Sequence, residues 1–172
     1  MPVYALGDQV PQIDPSAFIH PEAVIIGDVR IGAGSSVWAC AVIRGDDGPI
    51  HVGSGSSIQD GAVLHTTAFS PTTVGDGCTI GHLAHLEGCV IKDGGLVGSG
   101  AIVLHEAVVG EFALVAAGAV VLGKTEIPPG ALAVGTPARI KLDAANREMI
   151  EMGAQFYVER AVLYKEGLRR ID

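Results

Sequence analysis

The sequence predicts an all-β solenoid, a parallel β-helix followed by one C-terminal α-helix. Three observations predict it. Glycine supplies 24 of the 172 residues and aromatic residues only 5%, with a single Trp, which fits a narrow, tightly turned core. Ile, Leu or Val recurs every six residues through most of the chain. The position four residues after each of these is small or β-branched. An amphipathic helix needs a period near 3.6 and fewer glycines, and a meander alternates by two over longer runs. Period six, with one aliphatic and one small residue turned inward, fits a short strand plus a corner, three such units making one triangular coil.

The elements follow in order. Residues 1–18 form a lead-in. The β-helix spans 19–135, its aliphatic column running through Ile19, Ile25, Ile31, Val37 and Ile43. After an excursion the column resumes at Val52, Ile58 and Leu64, and after a second at Val74, Ile80 and Leu86. A five-residue step leads to Ile91, Val97, Val103, Val109, Val115 and Val121. The small position holds residues such as Ala23, Ser35, Ala41, Ser56, Ala62, Cys78, Ala84 and Ala101, and Gly follows the aliphatic at 32, 53, 75, 81, 98 and 110. These units make nearly six coils. Residues 136–172 hold an exit segment and a helix of roughly 23 residues, with Asp143 as its cap and Gly167 at its end. Two apolar stripes, Ala145–Met149–Gly153–Phe156 and Ile150–Ala154–Tyr157–Ala161–Tyr164, equip that helix to cover the solenoid.

Composition excludes several functions. The formal net charge is −8 and there is no basic cluster, which argues against nucleic acid, since phosphate contacts need Lys and Arg. At 48% hydrophobic the chain is too apolar for disorder. Its longest nearly apolar stretch, Phe112 to Gly123, falls short of the ~20 residues a membrane helix needs, so no membrane association is expected. Met1 to Pro11 lacks a secretory pattern. Cys40, Cys78 and Cys89 form an odd set without CxxC spacing, which fits a reducing compartment. A cytoplasmic location is expected.

The repeat places chemistry-bearing residues in columns, because each unit lies under the third one after it, about 4.8 Å away. Leu86 stacks on Leu64, so Glu87 stacks on His65, with Arg44 beneath them and Leu104 above. His85 leaves the same face as Glu87, about 7 Å along the strand. On another edge Asp60 lies beneath His82, with Gln59 beside it. His20, His51 and His105 have no acidic or histidine companion in this stacking and read as surface or corner residues. His65, His82 and His85, clustered with Glu87 and Asp60, point to a metal site. Neutral imidazole and carboxylate suit Zn²⁺, with Fe²⁺ or Co²⁺ as further candidates. His82 sits one corner away from His65 and Glu87, so a second subunit would have to complete the set. A triangular prism makes a homotrimer the natural assembly.

The period-six pattern resembles the hexapeptide-repeat proteins, whose β-helix is left-handed, and Pro128-Pro129-Gly130 with Gly135-Thr136-Pro137-Ala138-Arg139 resembles their exit segment. A narrower resemblance rests on Arg44-Gly-Asp46-Asp47-Gly-Pro-Ile, Ile58-Gln59-Asp60-Gly61-Ala-Val-Leu-His65, Ile80-Gly81-His82 and Gly88-Cys89. These look like the γ-class carbonic anhydrases and their relatives. The resemblance implies a trimer of left-handed β-helices, each with a C-terminal helix, and metal ligands drawn from two neighbouring subunits. His65 matches the first ligand and His82 the second. Glu87 stands where the family has a third histidine, so either Glu87 binds directly or His85 swings in. The resemblance further implies a salt bridge of Arg44 and Asp46 across the subunit interface, with Gln59 and Asp60 hydrogen-bonded to the metal-bound water or its neighbours. The family's acidic loop is replaced by Thr66–Thr73, which carries no acid. The activity implied is reversible hydration of CO₂ to bicarbonate by a metal-bound hydroxide. A non-catalytic trimeric scaffold or metal-binding protein is the first alternative. A hexapeptide acyltransferase using coenzyme A is the second, although no basic cluster is available for the coenzyme's phosphates.

Overall fold

The computed structural model describes residues 2–172, and it is a parallel β-solenoid of about seven turns with one C-terminal helix. Each turn contributes a strand to each of three faces. The first face stacks Val3–Tyr4, the first halves of Val24–Ile31 and Val42–Val52, then Val63–His65, His85–Glu87, Ile102–Val103 and Val120–Val121. The second stacks Gln12–Ile13, the second halves of the same two long strands, then Thr72–Val74, Val90–Ile91, Val108–Val109 and Glu126–Ile127. The third runs from Phe18–Ile19 through Ser57–Ile58 and Thr79–Ile80 to Leu132–Val134, where Arg139–Lys141 turns back antiparallel. Pairing thus extends to Val3–Tyr4 at one end and past Val121 at the other. That accounts for about seven turns where the repeat alone indicated nearly six: the end coils carry a long loop after Tyr4 and Ala133 in place of a large aliphatic.

The aliphatic column is the core. Ile25, Ile43, Leu64, Leu86, Val103 and Val121 are fully buried, as are the small corner residues Ala41, Ala62, Ala84 and Ala101. Coils stack so closely that side chains are excluded at some corners. A Cβ on Gly32 would lie 2.7 Å from the carbonyl carbon of Gly53, and one on Gly53 would lie 2.6 Å from that of Gly75. Buried hydroxyls tie one corner together. Ser35 Oγ donates to Gly53 O (2.6 Å), Ser56 Oγ donates to Gly75 O (2.7 Å), and Cys78 Sγ takes the next place in that column, donating to Lys92 O (3.1 Å).

The helix is Arg147–Gly167, starting later than Asp143. Asn146 is its cap: its side-chain oxygen accepts from Met149 N at 3.1 Å, while Asp143 lies upstream in a turn with φ of 51°. Gly167 is the last helical residue, and Leu168 N–H closes the end on Tyr164 O. Of the two apolar stripes, the one bearing Ile150, Ala154 and Ala161 is buried, whereas Met149 and Phe156 of the other stay exposed. The buried stripe seals the third face. Trp38 lies 5.7 Å from Tyr157, 4.9 Å from Tyr164 and 5.3 Å from Phe18, centroid to centroid. Its Nε1 donates to Ser36 Oγ and Ser57 Oγ, both at 3.0 Å, so the indole is satisfied although buried.

Two outcomes are expected. A chain ending at Leu142 should keep the coils but uncover Trp38, so its emission shifts to the red and an apolar dye binds; unshifted emission without dye binding would show that the helix covers nothing of consequence. Burial pushes the thiols of Cys78 and Cys89 up to about 12, while Cys40 is exposed. The native protein should therefore release one reactive thiol per chain at pH 8, and three after denaturation. Because these folded pKa values are raised from 9.0, their contribution to stability is complete below about pH 9 and is lost as pH rises toward 12. Three reactive thiols in the native chain would contradict the burial.

Candidate metal centre

The parallel ladder of the first face sets the site. Arg44 pairs in register with His65, and His65 with Glu87, so three consecutive coils present a cation, an imidazole and a carboxylate one above another. Strand alternation turns Leu64 and Leu86 inward and leaves these three partly exposed. Asp46 stands two residues beyond Arg44 on the same strand and face. Arg44 Nη1 bonds to Asp46 Oδ2 within the one chain. The bridge that the resemblance sets between subunits therefore has its two partners already joined in a single protomer.

Asp46 also meets His65, whose Nε2 is 3.2 Å from Asp46 Oδ1 while its Nδ1 is 3.4 Å from Glu87 Oε1. Partial burial, the largest single influence on Asp46, raises its pKa. The hydrogen bond and charge of Arg44, the hydrogen bond of its own backbone and that of His65 outweigh this and hold the carboxyl below the usual range. Glu87 is likewise held below its ordinary value, first by the hydrogen bond of His85 and then by His65 and the charges of His105 and His85, against the opposing effect of burial.

A neutral imidazole carries one N–H, yet both ring nitrogens of His65 face carboxylates. The nitrogen that lacks the proton keeps a lone pair with which it can ligate a cation. Imidazole with carboxylates is a donor set that divalent transition ions take, so the residues present fit such an ion. Among the described residues, the donors that gather within 4.8 Å of one another are those of Asp46, Asp47 and His65.

The remaining expected residues divide. His85 joins Glu87, its Nε2 being 3.2 Å from Oε2. His82 does not join His65. It stays at its corner, where Nδ1 lies 2.9 Å from Asp60 Oδ2 and both side chains are about half exposed. Gln59, next to Asp60, is buried. Asp60 also lines a cavity of about 350 Å³ under the helix, together with Trp38, Tyr157 and Arg160.

Two residues escaped the sequence reading. Asp47 lies beside His65 because the excursion from Gly45 to Pro49 remains part of one long strand, Val42–Val52; the quoted motif contained it without marking its neighbour. His105 is no isolated surface residue. Its Nε2 lies 3.4 Å from Glu87 Oε1, which corrects the expectation that it has no acidic companion.

The pattern known as bacterial transferase hexapeptide (six repeats) matches residues 11–45. The mitochondrial γ carbonic anhydrase 2 of Arabidopsis thaliana is 39% identical over 165 residues, which cover 91% of this chain and 59% of the plant protein, so the chain spans little more than half the length of that relative. The carbonic anhydrase of Geobacillus kaustophilus is 38% identical over 95% of this chain and 91% of its own length. Among solved structures, a hexapeptide transferase family protein from Anaplasma phagocytophilum superposes with a TM-score of 0.91 at 34% identity, covering 95% of this chain and 98% of that one. With a near full-length match to a carbonic anhydrase and the site motifs on adjoining coils, this chain belongs to the γ-carbonic-anhydrase-like family of hexapeptide-repeat proteins.

Proposed function

We propose that this chain is the protomer of a homotrimeric, metal-dependent carbonate dehydratase that interconverts CO₂ and bicarbonate. The observation that carries the reading is the split donor set. His65 and Glu87 stack on one face, and His82 sits at a separate corner with Nδ1 occupied by Asp60 and Nε2 without a protein partner among the described residues. A neighbouring copy would bring its His82 to the first copy's His65 and Glu87, with His85 as the alternative third donor. A divalent ion held there, Zn²⁺ or else Fe²⁺ or Co²⁺, supplies Lewis-acid activation of water near neutral pH.

The chain's own residues do the rest. Asp60 orients the His82 ring, the usual task of a carboxylate behind a metal-binding imidazole. Arg44, steered by Asp46, offers its guanidinium to the bicarbonate anion. Gln59 provides an amide at the same corner to fix the reacting water. The exposed carboxylate of Asp47, beside His65, accepts the released proton and passes it to buffer, a task for which Thr66–Thr73 offers no group. Glu87 gives the ion negative charge and makes it a poorer Lewis acid than three imidazoles would, so the activity expected is weak. That same carboxylate favours a second reading, a trimer that binds metal without catalysis. An acyltransferase, which the name of the Anaplasma relative allows, would instead bind coenzyme A.

The shared site has a direct test. His65→Ala and His82→Ala should each lose bound metal alone, yet regain part of it when co-refolded, since a mixed trimer rebuilds an interface with both histidines. Failure to complement would place the site within one chain. Glu87→His should raise CO₂ hydration at neutral pH by at least about tenfold, or ~1.4 kcal/mol of barrier, measured by stopped flow. If metal is retained and the rate is unmoved by this change, the non-catalytic reading stands.

A further inference from the structure

We propose that His105 is a positioning residue which, with His85, holds the Glu87 carboxylate in place for a metal ion. The inference rests on the reading of Glu87 as a ligand and adds to it a residue outside the family's motifs quoted above.

His105 reaches Glu87 from the corner of the next coil. Leu86 pairs with Val103, and Glu106 N donates to Gly88 O at 2.6 Å, which carries the same register on and sets His105 over Gly88. Leu104 therefore keeps its place above Glu87, and the His105 ring comes to the carboxylate across the glycine beside it. Gly88 completes the fit. It has φ of 61°, and a Cβ on it would lie 3.3 Å from His105 Cδ2 and 2.8 Å from Ser70 Cβ. A Cβ there would press on both the imidazole and Ser70.

The carboxylate is then held on both oxygens. His85 Nε2 lies 3.2 Å from Oε2, while His65 Nδ1 and His105 Nε2 each lie 3.4 Å from Oε1. The contacts of His65 and His85 have hydrogen-bond geometry, one to each oxygen, and His105 stands beside Oε1 as a third, electrostatic neighbour, so lone-pair sites of the carboxylate remain for an ion. A free Glu side chain forfeits up to roughly 2 kcal/mol of rotamer freedom when it is fixed. Here the three imidazoles meet that cost before any ion arrives. In this arrangement His85 acts through Glu87 and is not itself the third donor.

The test measures Co²⁺ and Zn²⁺ affinity and the visible spectrum of the Co²⁺-loaded full chain. His105→Ala should weaken binding by about 10- to 100-fold, the usual cost of losing an outer partner of a ligand, and should alter the Co²⁺ bands. His105→Gln, which retains an N–H donor, should recover part of both. His51→Ala, an exposed histidine without a carboxylate contact, should leave both unchanged. Apo thermal unfolding should match wild type throughout, because the His105 side chain is 44% exposed. Wild-type affinity and spectrum in His105→Ala would overturn this inference alone. A wild-type chain that takes up neither ion would overturn the metal reading and this inference with it.

Discussion

Hydrogen bonds between successive coils, running parallel to the long axis of the solenoid, fix which residues become neighbours. Ile25, Ile43, Leu64, Leu86, Val103 and Val121 form one paired line through the first face. In a parallel ladder a slip of one residue would turn every inward aliphatic outward. The fully buried core and the glycine corners, where no Cβ fits between coils, make such a slip costly. The same register carries Arg44, His65 and Glu87 into line, so the site inherits its geometry from core packing. A side chain placed this way needs no local scaffold of its own.

Electrostatics then decides what the line can do. Three imidazoles and a guanidinium converge on two carboxylates, Asp46 and Glu87, whose ionised forms are favoured over burial. Such a cluster is compact but incomplete. His65 faces anions on both sides, and the one other histidine of the quoted motifs, His82, stays at a corner beside Asp60. A charge-rich site that remains half exposed on the outer wall of a prism is suited to be finished by a second copy. The interior of the narrow solenoid is packed with buried Ile, Leu and Val side chains.

Much of this was legible in the sequence because period six is so regular. The strand-and-corner unit, the stacking of Glu87 on His65 over Arg44, the pairing of Asp60 with His82 and a C-terminal helix all follow from counting. Counting fails where the chain stops repeating. The helix begins at Arg147 and not near Asp143, because Asn146, not Asp143, has its side-chain oxygen in reach of the first turn. Asp47 and His105 were missed since their positions depend on an excursion kept within a strand and on the room that Gly88 leaves for an imidazole from the next coil. Neither feature leaves a mark in a hydrophobic pattern.

Those irregularities coincide with the chemistry. Asp46 and Asp47 lie on the first excursion, where the register of the two long strands shifts between Gly27 and Val29. His65 is the last residue before the second excursion, whose Phe69 is 95% exposed. Glu87 and Gly88 occupy the one five-residue step, and His105 lies over Gly88 in the coil above. A perfect solenoid presents identical walls on every coil and can only stack like on like. Breaking the repeat brings together residues from unlike positions of the unit, here a carboxylate from a strand and an imidazole from a corner. Local departures of this kind weaken the ladder wherever they occur, and in folded proteins they gather at functional sites. In this chain three departures surround a single column of side chains, while the coils beyond His105, from Val108 to Val121, keep step without a break.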